Sequence, residues 1–377
     1  MIDIVQGDRV EVEVGQPAHG GHCVARHEGI VLFVRHALPG ERVIAEITEV
    51  HKGYLRADAV EIRSSSSDRV TAPCRYSHPN GCGGCDLQHA SGAAQREWKA
   101  AVVREQLARL AGLPDFPVVV EPLPGDGFGW RTRVRYHIDA LDRPGLLKHR
   151  SNEVVPIDRC LIAHPALQEL DVLRRRWPEV DAVDVVVPRN GEAQVVSGQR
   201  ITEHAAGHDF DLAASAFWQV HPAAADTLVA CVVDFLEPKP GESAWDLYGG
   251  AGTFSAALAD RGCAVTLVEA AGDGVEAARR SLRDVRVLQS TVERARLPER
   301  VDLVVLDPPR TGAGARVVRK ITAARPRAIA YVACDPAALA RDLRTFAEEG
   351  WPLKRLRALD CFPQTHHVEC VALLTRD

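Results

Sequence analysis

The sequence predicts an α/β protein: a doubly wound, mostly parallel sheet preceded by a small β-barrel and a central strand-rich region. Three patterns predict it. After about residue 206, the apolar segments SAWDLYGG, AVTLVEA, VRVLQS, VDLVVLDPP and AIAYVACD alternate with helical stretches, as parallel strands joined by crossover helices do. Residues 1–62 instead carry short strands of alternating polarity, VEVEV, IVLFVR, RVIAEITEV and LRADAVEI, separated by turn signals such as LPGE. Between these regions Cys74, Cys82 and Cys85 crowd together.

A chain of 377 residues is long enough for two or three domains. The expected divisions are a barrel at 1–62, a polar linker at the serine run 64–67, a central domain at 68–205 and the doubly wound domain at 206–377. Hydrophobic residues at 46% and charged residues at 26% give the balance of a soluble globular protein, and no apolar run approaches a bilayer span. The opening MIDIVQGDRVEVEV lacks the basic start and apolar block of a secretory signal, so a cytoplasmic location is expected. A net charge of −5 excludes a purely electrostatic nucleic-acid binder, leaving local basic patches to supply any such contact. Ten cysteines in a reducing compartment point to metal binding or catalysis rather than to disulfides.

Within 95–111, Trp98, Val102, Leu107 and Leu110 fall at helical spacing, and this amphipathic helix is expected to pack on the C-terminal domain. In WRTRVRYHI, Arg131, Arg133 and Arg135 share one face of a strand and form the best local basic stripe. In AWDLYGGAGTFSAALA, glycines separate a strand ending near Asp246 from a helix, and no Gly-Lys-Ser/Thr follows to make a P-loop. Glu269 closes the next strand, where an acidic side chain accepts hydrogen bonds from ribose hydroxyls; a methyl donor, a NAD or a simple tight turn all fit this segment. Asp307-Pro308-Pro309-Arg310 follows VDLVVLD at the carboxyl edge of the sheet, the usual ligand side.

Cys334 stands after the strand AIAYVA and before a helix begun by Asp335 and Pro336, where helix-end amides favour a thiolate. An inert core cysteine is the alternative. Cys74, Cys82 and Cys85 need a fourth ligand, for which Cys160 in IDRCLIAHP is the candidate. Four thiolates suit zinc or a four-iron cluster, and the CxxC pair alone favours zinc.

The segments Phe217-Trp218-Gln219-Val220-His221, DLYGGAGTF, DPPR, YVACDPAALARD and FPQTHHVE stand in the order seen in the RNA 5-methyluridine methyltransferase family, which the chain resembles over nearly its whole length. The opening barrel is similar to the RNA-binding TRAM domain, of OB-like build. The cysteine cluster is similar to the iron-sulfur site of the ribosomal-RNA branch. The resemblance implies a Rossmann-like methyltransferase domain binding S-adenosylmethionine through Gln219, Tyr248, Glu269 and Asp307. It implies Cys334 as the nucleophile that adds to carbon 6 of uridine and Glu369 as the base that removes the carbon 5 proton, with His366 and His367 as competitors for that role. Phe217 would stack on a flipped base and Arg310 would polarise the uracil carbonyl. It turns the metal reading from zinc to a [4Fe-4S] cluster on Cys74, Cys82, Cys85 and Cys160. The implied partner is RNA, 23S ribosomal RNA in preference to uridine 54 of tRNA, with no membrane contact and a monomeric enzyme.

A catalytically silent metal-containing RNA-binding protein is the rival from another class, and intact Cys334, Glu369 and glycine loop oppose it. DPPR without a terminal aromatic residue disfavours an amino acceptor. The chain departs from the family pattern at His221 and Asp335, where Asn is usual, and in the seven residues between Cys74 and Cys82, where five are usual.

Overall fold

In the computed structural model, which describes residues 4–376, five strands close into a barrel. They are β1 (Arg9–Ala18), β2 (His22–His27), β3 (Ile30–Arg35), β4 (Arg42–His51) and β5 (Tyr54–Ser64), in the order β1-β2-β3-β5-β4. Alternate residues such as Val12, Val14, Leu32, Val34, Val43 and Ile47 fill its interior, and closure leaves no unpaired strand edge. The serine run after β5 is no loose linker. Ser66 N donates to Glu41 Oε1 at 3.1 Å, and Arg69 grips the same fully buried carboxylate at 2.6 Å, tying the segment back to the barrel.

Helix α1 (Gly92–Gln106), capped by Ser91, runs into a π-helical turn over Leu107–Ala111 that ends at Gly112 in the left-handed region. One face of α1, Trp98 and Val102, packs into the barrel. The other, Ala100, Val103 and Leu107, packs into the C-terminal core. The helix expected to dock on the C-terminal domain therefore joins both units. Strand β6 (Val120–Pro122) follows.

The central sheet has the order β11-β10-β7-β8-β9, from β7 (Arg133–Ile138), β8 (Pro144–Leu147), β9 (Val154–Pro156), β10 (Ala182–Val186) and β11 (Gln194–Val195), with a short helix α2 (Pro165–Glu169). Of the basic stripe, Arg133 is consumed inside the protein, while Arg135 stays exposed in a surface ion pair. Arg133 donates to the carbonyls of Ala214 and Ala216 at 2.9 and 2.8 Å and to Glu203 at 2.8 Å; Arg131 bonds the Arg133 carbonyl, and Arg135 faces Asp184 at 3.3 Å. A hairpin, β12 (Arg200–Ala205) and β13 (His208–Ala213), comes next.

The C-terminal sheet contains β14 (Ser243–Leu247), β15 (Ala264–Glu269), β16 (Val285–Gln289), β17 (Leu303–Leu306), β18 (Ala328–Ala333), β19 (Leu353–Asp360) and β20 (Glu369–Thr375). Its helices are α3 (Ala224–Leu236), α4 (Thr253–Ala259), α5 (Gly272–Ser281), α6 (Gly314–Ala323) and α7 (Pro336–Glu348). The strand order is β16-β15-β14-β17-β18-β20-β19-β6, parallel from β16 to β18, with β20 antiparallel to both of its neighbours. Trp245, Val304 and Ile329 face α1, α6 and α7, whereas Ala244, Val305 and Ala330 face α3 and α4. Near-continuous apolar strands are what a sheet covered on both faces requires.

Two expected boundaries shift. The division at 205/206 falls in the tip of the β12–β13 hairpin, and β6, placed by sequence in the central region, pairs with β19 at the edge of the C-terminal sheet. Among the described residues no helix is long and apolar enough to cross a membrane.

Candidate active site

From β14 the chain works outward to β15 and β16, then returns to β17 on the other side of β14, so the carboxyl ends of β14 and β17 form the topological switch point. The loop after β14 can fold down there only because of its glycines. A Cβ on Gly249 would lie 2.7 Å from Leu267 Cγ, and Gly252, at φ 92°, would drive one into Leu282. Tyr248 adopts φ 61°, a conformation costly for a residue with a Cβ and characteristic of functional loops.

Asp246 Oδ2 accepts from Ser255 N at 2.9 Å and Ser255 Oγ at 2.6 Å, fixing the start of α4, while its Oδ1 is buried without a partner. Burial pushes the Asp246 carboxyl up to about 6. Glu269 accepts from the backbone amides of Gly250 at 3.0 Å and Ala271 at 2.6 Å, which orients its carboxylate across the loop.

Beside this loop opens a cleft of about 850 Å³ lined by Gln219, Tyr248, Glu269 and Asp307 together with Phe217, Arg310 and Cys334. Sequence reasoning drew these residues from five separate segments, and the fold brings them to one place. Phe217 is 79% exposed, an aromatic face offered to solvent at the cleft rim. The orphaned Asp246 oxygen beside the loop, the glycine approach and the oriented Glu269 fit a nucleoside-bearing methyl donor such as S-adenosylmethionine.

Glu369 reaches the same place by strand pairing. β18 and β20 are antiparallel with Ala333 opposite Cys370, so the next pair in register is Cys334 and Glu369. Glu369 is only 4% exposed; burial and then the Asp307 charge raise its carboxyl well above the ordinary range, against the pull of Arg310. Asp307 itself is pushed up to about 7 by burial and by Asp246. Burial, then Glu369 and Asp307, push the Cys334 thiol up to about 11, again opposed by Arg310. The expected helix-end stabilisation of a thiolate is thus outweighed. One reason is local: Asp335 caps α7 by accepting from Ala338 N at 2.7 Å, so that amide is already engaged.

His366, the runner-up for the base, pairs its Nδ1 with Asp86 Oδ2 at 2.6 Å. His367 is pushed down to about 3 by burial and by the neighbouring charges of His366 and Arg310. Sequence reasoning missed the residues that hold this loop. Gln364, at φ 69°, exchanges two 2.9 Å hydrogen bonds with Gln95, and its carbonyl accepts from the amides of Asp86 and Leu87 at 3.0 Å. Lys99, fully buried in α1, donates to Asp360 at 2.6 Å and to the Phe362 carbonyl at 3.0 Å. Their sole sequence signal is a polar residue on the apolar side of an amphipathic helix.

A family profile described as the TRAM domain matches residues 5–60, and one described as tRNA (uracil-5-)-methyltransferase matches residues 297–377. An RNA methyltransferase of Streptomyces avermitilis is 47% identical over 98% of each chain. The 23S rRNA (uracil(1939)-C(5))-methyltransferase of a Shewanella strain is 32% identical, covering 96% of this chain and 94% of its own. This chain belongs to the RNA uracil-C5 methyltransferase family. The fold is likewise that of the Pyrococcus abyssi tRNA (uracil-54, C5)-methyltransferase crystallised with S-adenosyl-L-homocysteine, with a TM-score of 0.74 and 24% identity over 97% of this chain and 100% of that one.

Elsewhere in the methyltransferase, Cys74, Cys82, Cys85 and Cys160 line one small cavity, none of them in a disulfide. Burial, with the nearby Cys160 and Cys74, pushes the Cys82 thiol up to about 11, and Gly84 N approaches its sulfur at 3.3 Å. Buried thiols that repel one another as anions are a donor set suited to a cationic metal centre. Among the described residues, no group of three or more Cys, His, Asp or Glu is drawn together as a ligand set for a metal ion. The family departures have plain roles. His221 Nδ1 accepts from Ala223 N ahead of α3, a turn-capping bond, and Asp335 caps α7.

Proposed function

We propose that this methyltransferase transfers a methyl group from S-adenosylmethionine to carbon 5 of a uridine in 23S ribosomal RNA. The observation that carries the reading is the Cys334–Glu369 pair, set opposite each other across β18 and β20 beside the cleft. S-adenosylmethionine supplies an electrophilic methyl group when bound, with Gln219, Tyr248, Glu269 and Asp307 as its contacts. The Cys334 thiolate adds to carbon 6, which makes carbon 5 nucleophilic. Once carbon 5 carries the methyl group, the Glu369 carboxylate takes its proton, the carbon 5–carbon 6 double bond re-forms and the thiolate leaves. Phe217 receives the extruded base by stacking, and Arg310 opposes negative charge on the ring. A [4Fe-4S] cluster on the four cysteines belongs to the same reading, as a structural centre.

Ribosomal RNA is favoured by the 32% identical relative that acts on it. The test is nucleoside mass spectrometry of separated ribosomal and transfer RNA from cells with and without the gene. Loss of 5-methyluridine from 23S RNA alone is expected. Loss from transfer RNA alone would replace the substrate, and an unchanged content in both would overturn the reading.

A further inference from the structure

A second cavity, of about 360 Å³, opens where the barrel face of β3 and β5 meets the loop after β8. Arg35, 8% exposed, lines it, and its Nε is buried without a hydrogen-bond partner. Its ion pairs, to Asp58 at 3.8 Å and Asp86 at 3.7 Å, are beyond hydrogen-bond length. Arg56 Nε and His149 Nε2, which also line the cavity, are buried without hydrogen-bond partners, Arg56 Nε standing in an ion pair 3.4 Å from Glu49 Oε2. The unpartnered Arg35 Nε and His149 Nε2, buried against one cavity, are costly unless a ligand satisfies them.

The charges identify the ligand class. Of the acids on the wall, Glu46 is bonded to Arg9 at 2.8 Å, Glu49 is bonded to His51 at 2.7 Å and ion-paired with Arg56 at 3.4 Å, and burial raises the Asp58 carboxyl above its ordinary value against the pull of Arg35 and Lys148. Lys148 and Arg150 add positive charge at the mouth, and burial together with Arg35 pushes His149 down to about 4. A planar guanidinium with free donors in such a field matches a tetrahedral oxyanion.

We propose that this cavity is a phosphate subsite, in which Arg35, Arg56 and His149 hold one backbone phosphodiester of the substrate RNA at the junction of barrel and central sheet. The proposal rests on RNA being the acceptor. It also places the phosphate next to the support of the catalytic loop, because Arg35 touches Asp86, and Asp86 holds His366.

The test is fluorescence titration of the full-length protein with a labelled oligouridylate over a range of salt, comparing wild type with Arg56→Gln and Arg35→Lys. Thermal melting checks that each variant folds. Arg56→Gln should bind about tenfold more weakly, the weight of one charge-assisted hydrogen bond, and its log–log salt slope should be shallower by about 0.7. Arg35→Lys keeps the charge and loses the fork, so it should weaken binding with the slope unchanged. Wild-type affinity and slope in a folded Arg56→Gln overturn the proposal. So does an Arg56→Gln that loses protection by inorganic phosphate in the melt while keeping the wild-type RNA slope, since the cavity would then hold only a free anion. Because binding is read without turnover, a protein that binds oligouridylate through this cavity yet methylates no RNA would sink the proposed function and leave the subsite standing.

Discussion

At Cys334 and Glu369 the two groups that the proposed chemistry needs as anions are both shifted upward, chiefly by burial and then by neighbouring carboxylates, Glu369 and Asp307 acting on Cys334 and Asp307 on Glu369. A raised acid is ionised only at higher pH, so the active form is depleted as pH falls. The rate at saturating RNA is therefore expected to climb from neutral into the alkaline range, in a pH–rate profile measured where the protein stays folded. A flat profile from pH 6 to 9, roughly the span in which such groups act, would contradict this assignment of roles. The same pair separates the two half-reactions. Cys334→Ala should bind RNA and methyl donor yet give no covalent complex, and its product rate should fall by at least about 10³-fold. Glu369→Gln should still add and transfer methyl, then stall as an RNA–protein adduct visible on a denaturing gel. Both candidates could be singled out in the sequence because they lie in distinctive segments, but their perturbed ionisation could not. It depends on Asp307 and Arg310, which are distant in the chain and meet them only through the sheet.

At the scale of the element, α1 shows what sequence periodicity delivers and what it omits. Its apolar positions gave a helix over 95–111, against an observed helix from 92 that turns π-helical after 106. Periodicity did not reveal that the helix carries two apolar faces, one for the barrel and one for the C-terminal core, nor that Lys99 and Gln95 brace the loop leading into Glu369. Those contacts span more than 260 residues of chain, beyond any local pattern. The barrel strands and the parallel strands were readable because alternation and uninterrupted apolar runs are local signatures. β6 was not, since three residues at a sheet edge carry no period. The arginines of β7 misled because an alternating basic strand looks alike whether its charges meet phosphates or staple a neighbouring hairpin. Lys99 gives a direct test. Lys99→Ala leaves Asp360 buried beside an empty cation site and should destabilise the protein by about 3–5 kcal/mol in denaturant unfolding. Lys99→Met combined with Asp360→Leu removes both charges and should recover most of that loss. Equal stability of Lys99→Ala and wild type would show that the pair does not anchor the loop.

At the scale of the whole molecule, the cysteine cavity is a junction. Cys74, Cys82 and Cys85 lie on the segment between the barrel and α1, and Cys160 lies beyond β9 in the central sheet. Asp86, next to Cys85, reaches across to His366, and with Leu87 it bonds the carbonyl of Gln364 in the loop before Glu369. A metal centre on the four thiolates would close a long loop of chain and, through Asp86, help hold Glu369 in register with Cys334. Closing such a loop draws its stabilisation from the reduced freedom of the unfolded chain and from the metal–thiolate bonds themselves. Protein purified without oxygen is accordingly expected to be brown and to carry about four irons per chain, the content of one cubane. Stoichiometric zinc without iron would replace the cubane with a mononuclear site. Cys160→Ala should shed the metal and raise amide hydrogen exchange across residues 74–90 and 361–367, because Asp86 and Leu87, beside Cys85, are bonded to His366 and Gln364. Helices α3 and α4, packed on the opposite face of the sheet from α1, should keep wild-type protection. An exchange map in which the loss of metal leaves residues 361–367 unchanged would separate the cluster from the base and confine its role to the central domain.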